Sequence, residues 1–335
     1  MTNLIDKLLD SEEPSIRYKV RVNVLGEARE SKVIGDLREE IRRSPRVRAL
    51  LGDRDESGRI KPAQHPYKKW SGAHWVFASL ADIGYPPGDP DLIPIRDQAL
   101  DCWLDPVYYD ERVCESAPPW SRAHFVPVIN GRARRCASQQ SNALFSTMTL
   151  GLSDERCDKL AELLMRWQWP DGGWNCDRRP EAATSSFHES LIPLRALSAY
   201  AKATDNADAR AAVGRASELF LKRRLFRRLS DGTVMDLRFT QLHYPCYWHY
   251  DALFALKAMA ESGFIADPRC ADALDLLESQ RLSDGGWPAH ARYYNARSPE
   301  QSNADRVSWG EASKNKMNEW VTADALYVLK ASGRL

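Results

Sequence analysis

The sequence predicts an all-α fold of alternating outer and inner helices, either closed into an α/α toroid or left as an open helical solenoid. Two observations predict it. An Asp-Gly turn recurs, as PDGGWNC from Pro170, SDGTVMD from Ser230 and SDGGWPA from Ser283, with aspartates at 171, 231 and 284. Spacings of this size mark stacked supersecondary units. The second observation is that each turn lies between two kinds of helical segment. CDKLAELLMRWQW and DALDLLESQR, which precede the turns, are amphipathic and charged. SFHESLIPLRALSAYAKAT, YWHYDALFALKAMAESG and NEWVTADALYVLKASG, which follow, are apolar on most faces and suit buried inner helices.

Weaker copies of the unit, DESGRI at Asp55 and a loop around Asp105 to Asp110, bring the expected number to about five helix pairs over residues 61–335. Asp-Gly-Gly supplies the special backbone angles of a tight connection. Gly263 and Gly333 stand where helix ends take a left-handed residue. Residues 1–60 do not repeat the pattern. PSIRYKVRVNVLGE and SKVIGDLREEIRRSPRVRALL read as amphipathic helices, with Pro14 near an N-terminus, forming a helical cap on the repeats. The arginines between Arg38 and Arg54 read as a solvated face with Glu-Arg pairs or as a phosphate or anionic-lipid contact.

Composition narrows the function classes. In 335 residues, 43% hydrophobic and 28% charged, the chain is globular. Its net charge of +1 supplies no general attraction for nucleic acid. The N-terminal stretch is charged throughout, unlike a signal peptide, and no run is apolar enough to span a membrane. Peripheral membrane contact stays open, as do monomer and homodimer. Seven scattered cysteines, at 102, 114, 136, 157, 176, 246 and 270, read as reduced thiols of a cytoplasmic protein. Eleven tryptophans suit a core or a pocket for apolar ligands.

Gln168-Trp169-Pro170-Asp171-Gly172-Gly173-Trp174 and Gln280 through Trp287 resemble the QW repeats of squalene-hopene cyclases. Over residues 65–335 the chain is similar to the prenyltransferase and squalene-oxidase repeat superfamily, which includes protein prenyltransferase β-subunits. The resemblance implies an α/α toroid with a central cavity and a small apolar, isoprenoid-like substrate for a terpene cyclase- or prenyltransferase-like enzyme. The toroid hosts several chemistries, so it fixes no reaction. The repeat tryptophans are expected to stack at the turns. The DxDD acid motif of the cyclases is absent: Asp89-Pro90-Asp91-Leu92 lacks the last acid and sits in a proline-rich loop.

Inner-helix starts are where chemistry is expected, because helix N-termini attract anions and lower thiol pKa values. Superposing the Ala-Leu patterns puts Glu189, Asp251 and Asp324 in equivalent places, read as a ring of carboxylates or as helix caps. Cys136, Cys176, Asp177 and His188 form a candidate zinc site. Cys136 and His188 resemble, in kind and placement, the Cys and His ligands of protein prenyltransferase β-subunits. Arg134 stands where the family's Asp is expected, so Cys176 or Asp177 would supply the third ligand. Three ligands and an open place suit catalytic zinc. Two buried thiols and a satisfied histidine are the plain alternative. In LHYPCYWHYD, residues 242–251, His249 and Tyr250 with Asp251 are candidate proton-transfer groups beside aromatic faces, or else an aromatic seam. A non-catalytic lipid- or protein-binding toroid, and a hydrolase or lyase with Glu189 and Asp251 as paired carboxylates, are the alternatives.

Overall fold

The computed structural model describes residues 2–61, 65–110, 127–295 and 303–335. They are mostly helical. A two-stranded antiparallel ribbon, Val128–Ile129 with Arg132–Ala133, is the only sheet among them. Cys114 lies outside the described residues.

Five helices that follow the turns pack on one another in chain order: Ala73–Asp82, Ala137–Thr149, Phe187–Thr204, Ala252–Ser262 and Glu319–Ala331. Their buried faces explain this. Every residue from Leu253 to Met259 is buried, as is almost the whole of Phe187–Ala201. A helix apolar all round has no solvent face, so neighbours must cover it on every side. Ile93–Trp103, Glu155–Arg166, Ala207–Leu221 and Ala271–Ser279 pack outside them, each covering part of the buried set.

The N-terminal segment expected as a cap does more than cover. Pro14–Lys19 continues through a π-helical turn, Val20–Val24, and this rod packs along the Glu319 helix. Lys19 Nζ sits 3.0 Å from Asp82 of the Ala73 helix and 3.1 Å from Asp324 of the Glu319 helix. The rod therefore touches both the first and the last of the five helices.

Both DGGW turns have one construction. Trp174 and Trp287 are buried, and their indole N–H groups donate to Leu164 O and Leu277 O at 2.8 and 2.7 Å. Their backbone N–H groups donate to Ser190 Oγ and Thr322 Oγ1, each at 2.9 Å, on the helix that follows. The tryptophan thus pins an outer helix to an inner one. Gly172 has φ +99°, and a Cβ there would lie 2.2 Å from Arg215 O, so only glycine fits. Gln168 Nε2 bonds Gly172 O, while Arg281 Nε does the same for Gly285 O, both at 2.8 Å. The repeat keeps the hydrogen bond and changes the residue that makes it.

Candidate functional site

The helix starts gather the chemistry. Cys136 is the N-cap of the Ala137 helix, Glu189 is the third residue of the Phe187 helix, and Cys176 follows Trp174 and Asn175 beyond the DGGW turn. A parallel bridge between Arg134 and Asn175 brings the two cysteine loops side by side. The two Sγ atoms and a Glu189 carboxylate oxygen all lie within 4.8 Å of one another. The Cys136 thiol hydrogen-bonds Cys176, which pushes Cys136 up and holds Cys176 down; burial and the Glu189 charge raise Cys136 further. The two thiols therefore titrate as a coupled pair. Burial pushes Glu189 up, against hydrogen bonds from Ser138 N at 3.1 Å and Ser138 Oγ at 2.9 Å.

The two thiols stand on the wall of a cavity of about 500 Å³, with the Glu189 carboxylate buried behind them. Tyr67, Trp103 and Tyr108 line it with aromatic faces, and Arg135 adds a buried cation lying 4.9 Å over the Tyr108 ring. Arg135 is anchored through Gln140 Oε1 and Gln139 Oε1, at 3.1 and 3.3 Å. Lys69 lies over the Trp248 ring at 4.9 Å, and burial lowers its ammonium below the usual range. Cys136 and Glu189 pull the other way, so Lys69 is electrostatically part of this site.

Beyond Lys69, His249 is sandwiched between Trp248, at 4.4 Å and 19°, and Tyr293, at 3.8 Å and 11°. Burial lowers it to about 3, so it stays neutral, and its Nδ1 has no partner among the described residues. His74 is buried and also lowered to about 3; its Nδ1 accepts from Trp103 Nε1 at 3.0 Å.

The remaining sequence candidates stand elsewhere. Asp177 is ion-paired with Arg179 at 2.5 Å and is not within the thiol cluster. His188 Nδ1 accepts from Tyr250 N at 3.1 Å, and its ring packs against Trp248 and Phe239. The cluster brought together is therefore Cys136, Cys176 and Glu189, without Asp177 or His188. Adjacency to Cys176 in sequence misled for Asp177: the chain turns there, and the next carboxylate inward belongs to a different helix. Glu189 had been singled out, but as an acid.

The three inner-helix carboxylates do not share a depth. Asp251 is an N-cap, Glu189 is the third residue of its helix and Asp324 the sixth, a spread of roughly 9 Å. Asp251 accepts from Phe254 N at 2.7 Å and His243 N at 3.0 Å, and its Oδ2 lies 2.7 Å from His243 Nδ1. It caps its helix and orients His243, whose buried Nε2 has no partner among the described residues. The Tyr250 hydroxyl donates to Leu225 O, and the ring packs among Phe187, Phe220 and Phe239. Asp324 bridges Lys19 and Lys257, at 3.1 and 2.9 Å. Those two lysines also share Asp82, which accepts from the Tyr244 hydroxyl at 2.6 Å. Sequence reading missed this buried ion network, since only lysines in otherwise apolar helices could have signalled it.

No protein-family model and no curated protein matches the chain. Among solved structures the chain is similar to a type II terpene cyclase from Scytonema in complex with its substrate, geranylgeranyl dihydroxybenzoate. The identity is 14%, the match covers 100% of each chain, and the TM-score is 0.27. A score that low carries no argument about fold or chemistry. No helix among the described residues is long and apolar enough to cross a membrane.

Proposed function

We propose that the chain is a single α/α toroid whose inner ring is the five buried helices with the Pro14–Val24 rod as a sixth member. We further propose that it is a metal-assisted enzyme of the terpene cyclase or prenyltransferase kind. Its substrate would be a small molecule with an apolar, isoprenoid-like body and an anionic end. One observation carries the reading: two thiols on the wall of a cavity of about 500 Å³ and a carboxylate buried beside them converge within 4.8 Å.

That donor set suits zinc, which takes sulfur and carboxylate oxygen and in catalytic sites keeps a fourth place open. Cys136, Cys176 and Glu189 would hold it, replacing the Cys136, Cys176, Asp177 and His188 set expected from sequence. Bound there, zinc would act as a Lewis acid beside the substrate. The chain's own residues do the rest. Tyr67, Trp103 and Tyr108 shield an apolar body from water and offer π faces to developing positive charge. Arg135, fixed by Gln139 and Gln140, draws the anionic end inward. Cys136 and Cys176 face one another across a shared hydrogen bond, so both sulfurs stand ready to ligate together.

The Lys19, Lys257, Asp82 and Asp324 network supports confining the substrate to the helix-start end. A polyene threading between the helices would have to displace paired charges. The hydrolase alternative with Glu189 and Asp251 loses support, because Asp251 is committed to its cap and to His243.

Metal content tests the proposal. Wild type, exposed to zinc and freed of excess by gel filtration, is expected to hold one equivalent. Cys176→Ala and Cys136→Ala should hold none, while Asp177→Asn and His188→Gln should hold as much as wild type. Zinc-free wild type, or zinc lost with Asp177 or His188 instead, overturns the assignment.

A further inference from the structure

The opposite ends of the same helices enclose a second cavity, of about 340 Å³, between the N-terminal rod and the Ala73, Phe187, Ala252 and Glu319 helices. It shares no lining residue with the thiol site. Five cations line it: Lys19, Arg29, Arg38, Arg195 and Lys257. Three of these are compensated. Arg195 pairs with Glu261 at 2.5 and 2.8 Å, and the two lysines share Asp82 and Asp324. Arg29 and Arg38 are not: among the described residues neither guanidinium is within 4.0 Å of a carboxylate.

Both arginines instead converge on one neutral atom. Arg29 Nη1 and Arg38 Nη2 each donate to the Tyr18 hydroxyl oxygen, at 3.0 Å. Two guanidiniums aimed at a single phenol repel each other and gain little from the shared acceptor. Such an arrangement is stable when an anion joins it. Among the described residues Arg38 Nε is buried without a partner, so one donor of its fork is still unused. With its lone pairs occupied, the Tyr18 hydroxyl has its own proton left to donate. Tyr18 is also held rigidly: a Cβ on Gly84 would lie 2.3 Å from its ring, so the glycine lets the backbone close on it. Of the other arginines of the dense N-terminal stretch, Arg48 donates to the Arg43 carbonyl, and neither it nor Arg54 has an ion pair among the described residues, but the three nearest Arg38 behave differently. Arg42, Arg43 and Arg46 all find carboxylates.

We propose that this cavity binds the phosphoryl group of a small soluble metabolite, held by Arg29, Arg38 and the Tyr18 hydroxyl. A phosphoryl group offers three oxygens and can accept from both forks and the phenol together, whereas a carboxylate offers two. The volume suits a compact molecule, and the partial enclosure between helices favours a soluble ligand over a bilayer headgroup. The site is independent of the metal reading and stands or falls separately.

Calorimetric titration with pyrophosphate and with inorganic phosphate tests it. Wild type is expected to bind one pyrophosphate saturably. The double variant Arg29→Gln/Arg38→Gln should bind at least about tenfold more weakly, the loss of one charge-assisted contact or more. Tyr18→Phe should weaken binding severalfold with the thermal melt preserved. Arg43→Gln, which removes an equal charge from an arginine 79% exposed, should change affinity less than twofold. Thermal shifts give a second readout: pyrophosphate should raise the melting temperature of wild type and leave the double variant unmoved. Absence of binding by either soluble anion, or equal weakening by Arg43→Gln, overturns the site. Binding confined to phosphatidic acid vesicles overturns the small-molecule assignment.

Discussion

The two ends of the buried helices handle charge in opposite ways. Where the helices start, groups are left short of partners. Among the described residues Glu189 is buried with only Ser138 donating to it, His249 Nδ1 and His74 Nε2 have no hydrogen bond, and two thiols hydrogen-bond each other. Farther along the same helices, Lys19, Lys257, Asp82 and Asp324 compensate one another within 3.1 Å. A buried charge without a counter-charge is unfavourable and persists where function needs it. A buried charge with two counter-charges is a fastener. Substitutions at the two ends should therefore have opposite signs.

The largest effect is expected in the paired network. Asp324→Asn leaves Lys19 and Lys257 to share Asp82 alone. Breaking a buried pair by removing one partner costs about 3–5 kcal/mol. In a chain of this size the melting temperature should fall on the order of 8 °C. The double variant Lys257→Met/Asp324→Leu should recover part of the loss, because it removes charge from both sides. A fall under about 2 °C for Asp324→Asn would show that water reaches the network and that the two ends do not differ.

A smaller effect separates the ends by pH. His74 is lowered by burial to about 3 in the folded chain, while in the unfolded chain it takes up a proton near 6.5. Between those values the unfolded state binds more protons, so stability rises with pH and is lost as pH falls from about 6.5 toward 3. His74→Gln keeps an acceptor for Trp103 Nε1 and removes the titration. Between pH 7.5 and 4.5 the variant should lose roughly 5 °C less than wild type. Parallel melting curves for the two proteins would mean that His74 is protonated in place.

Helices, turns and the identity of the repeat tryptophans were legible because their signals are local. DGGW, the charged outer segments and the apolar inner ones each fit within twenty residues. Cys136, Glu189 and Asp251 were found for the same reason, since a helix start shows in sequence. Their partners were not. Asp177 stands next to Cys176 in the chain and turns out to pair with Arg179, while Glu189 arrives from thirteen residues on, one helix away. The place of residues 14–24 between the first and last helices rests on Lys19 meeting Asp82 and Asp324, contacts 63 and 305 residues apart. Arg29 and Arg38 could be seen as arginines, but their convergence on Tyr18 depends on Gly84, which no local pattern connects to them.

The smallest effect is the most informative about the thiol site, because its sign depends on metal. Glu189 has its folded pKa raised above 4.5 by burial. Its contribution to stability is greatest below the unfolded value and declines as pH rises through the folded one. In metal-free protein at neutral pH, Glu189→Gln should therefore stabilise, raising the melting temperature by roughly 2 °C, an advantage that vanishes near pH 4. Added zinc should invert the order. A ligand that binds only the folded state stabilises wild type in proportion to the logarithm of its concentration, and the variant has lost one of three donors. Melting curves of the two proteins with and without zinc should cross. Curves that shift together would show that Glu189 is a buried acid with no part in metal binding. A metal-free variant less stable than wild type would show that Ser138, Arg135 and Lys69 compensate the carboxylate fully, and the contrast between the two ends would be gone.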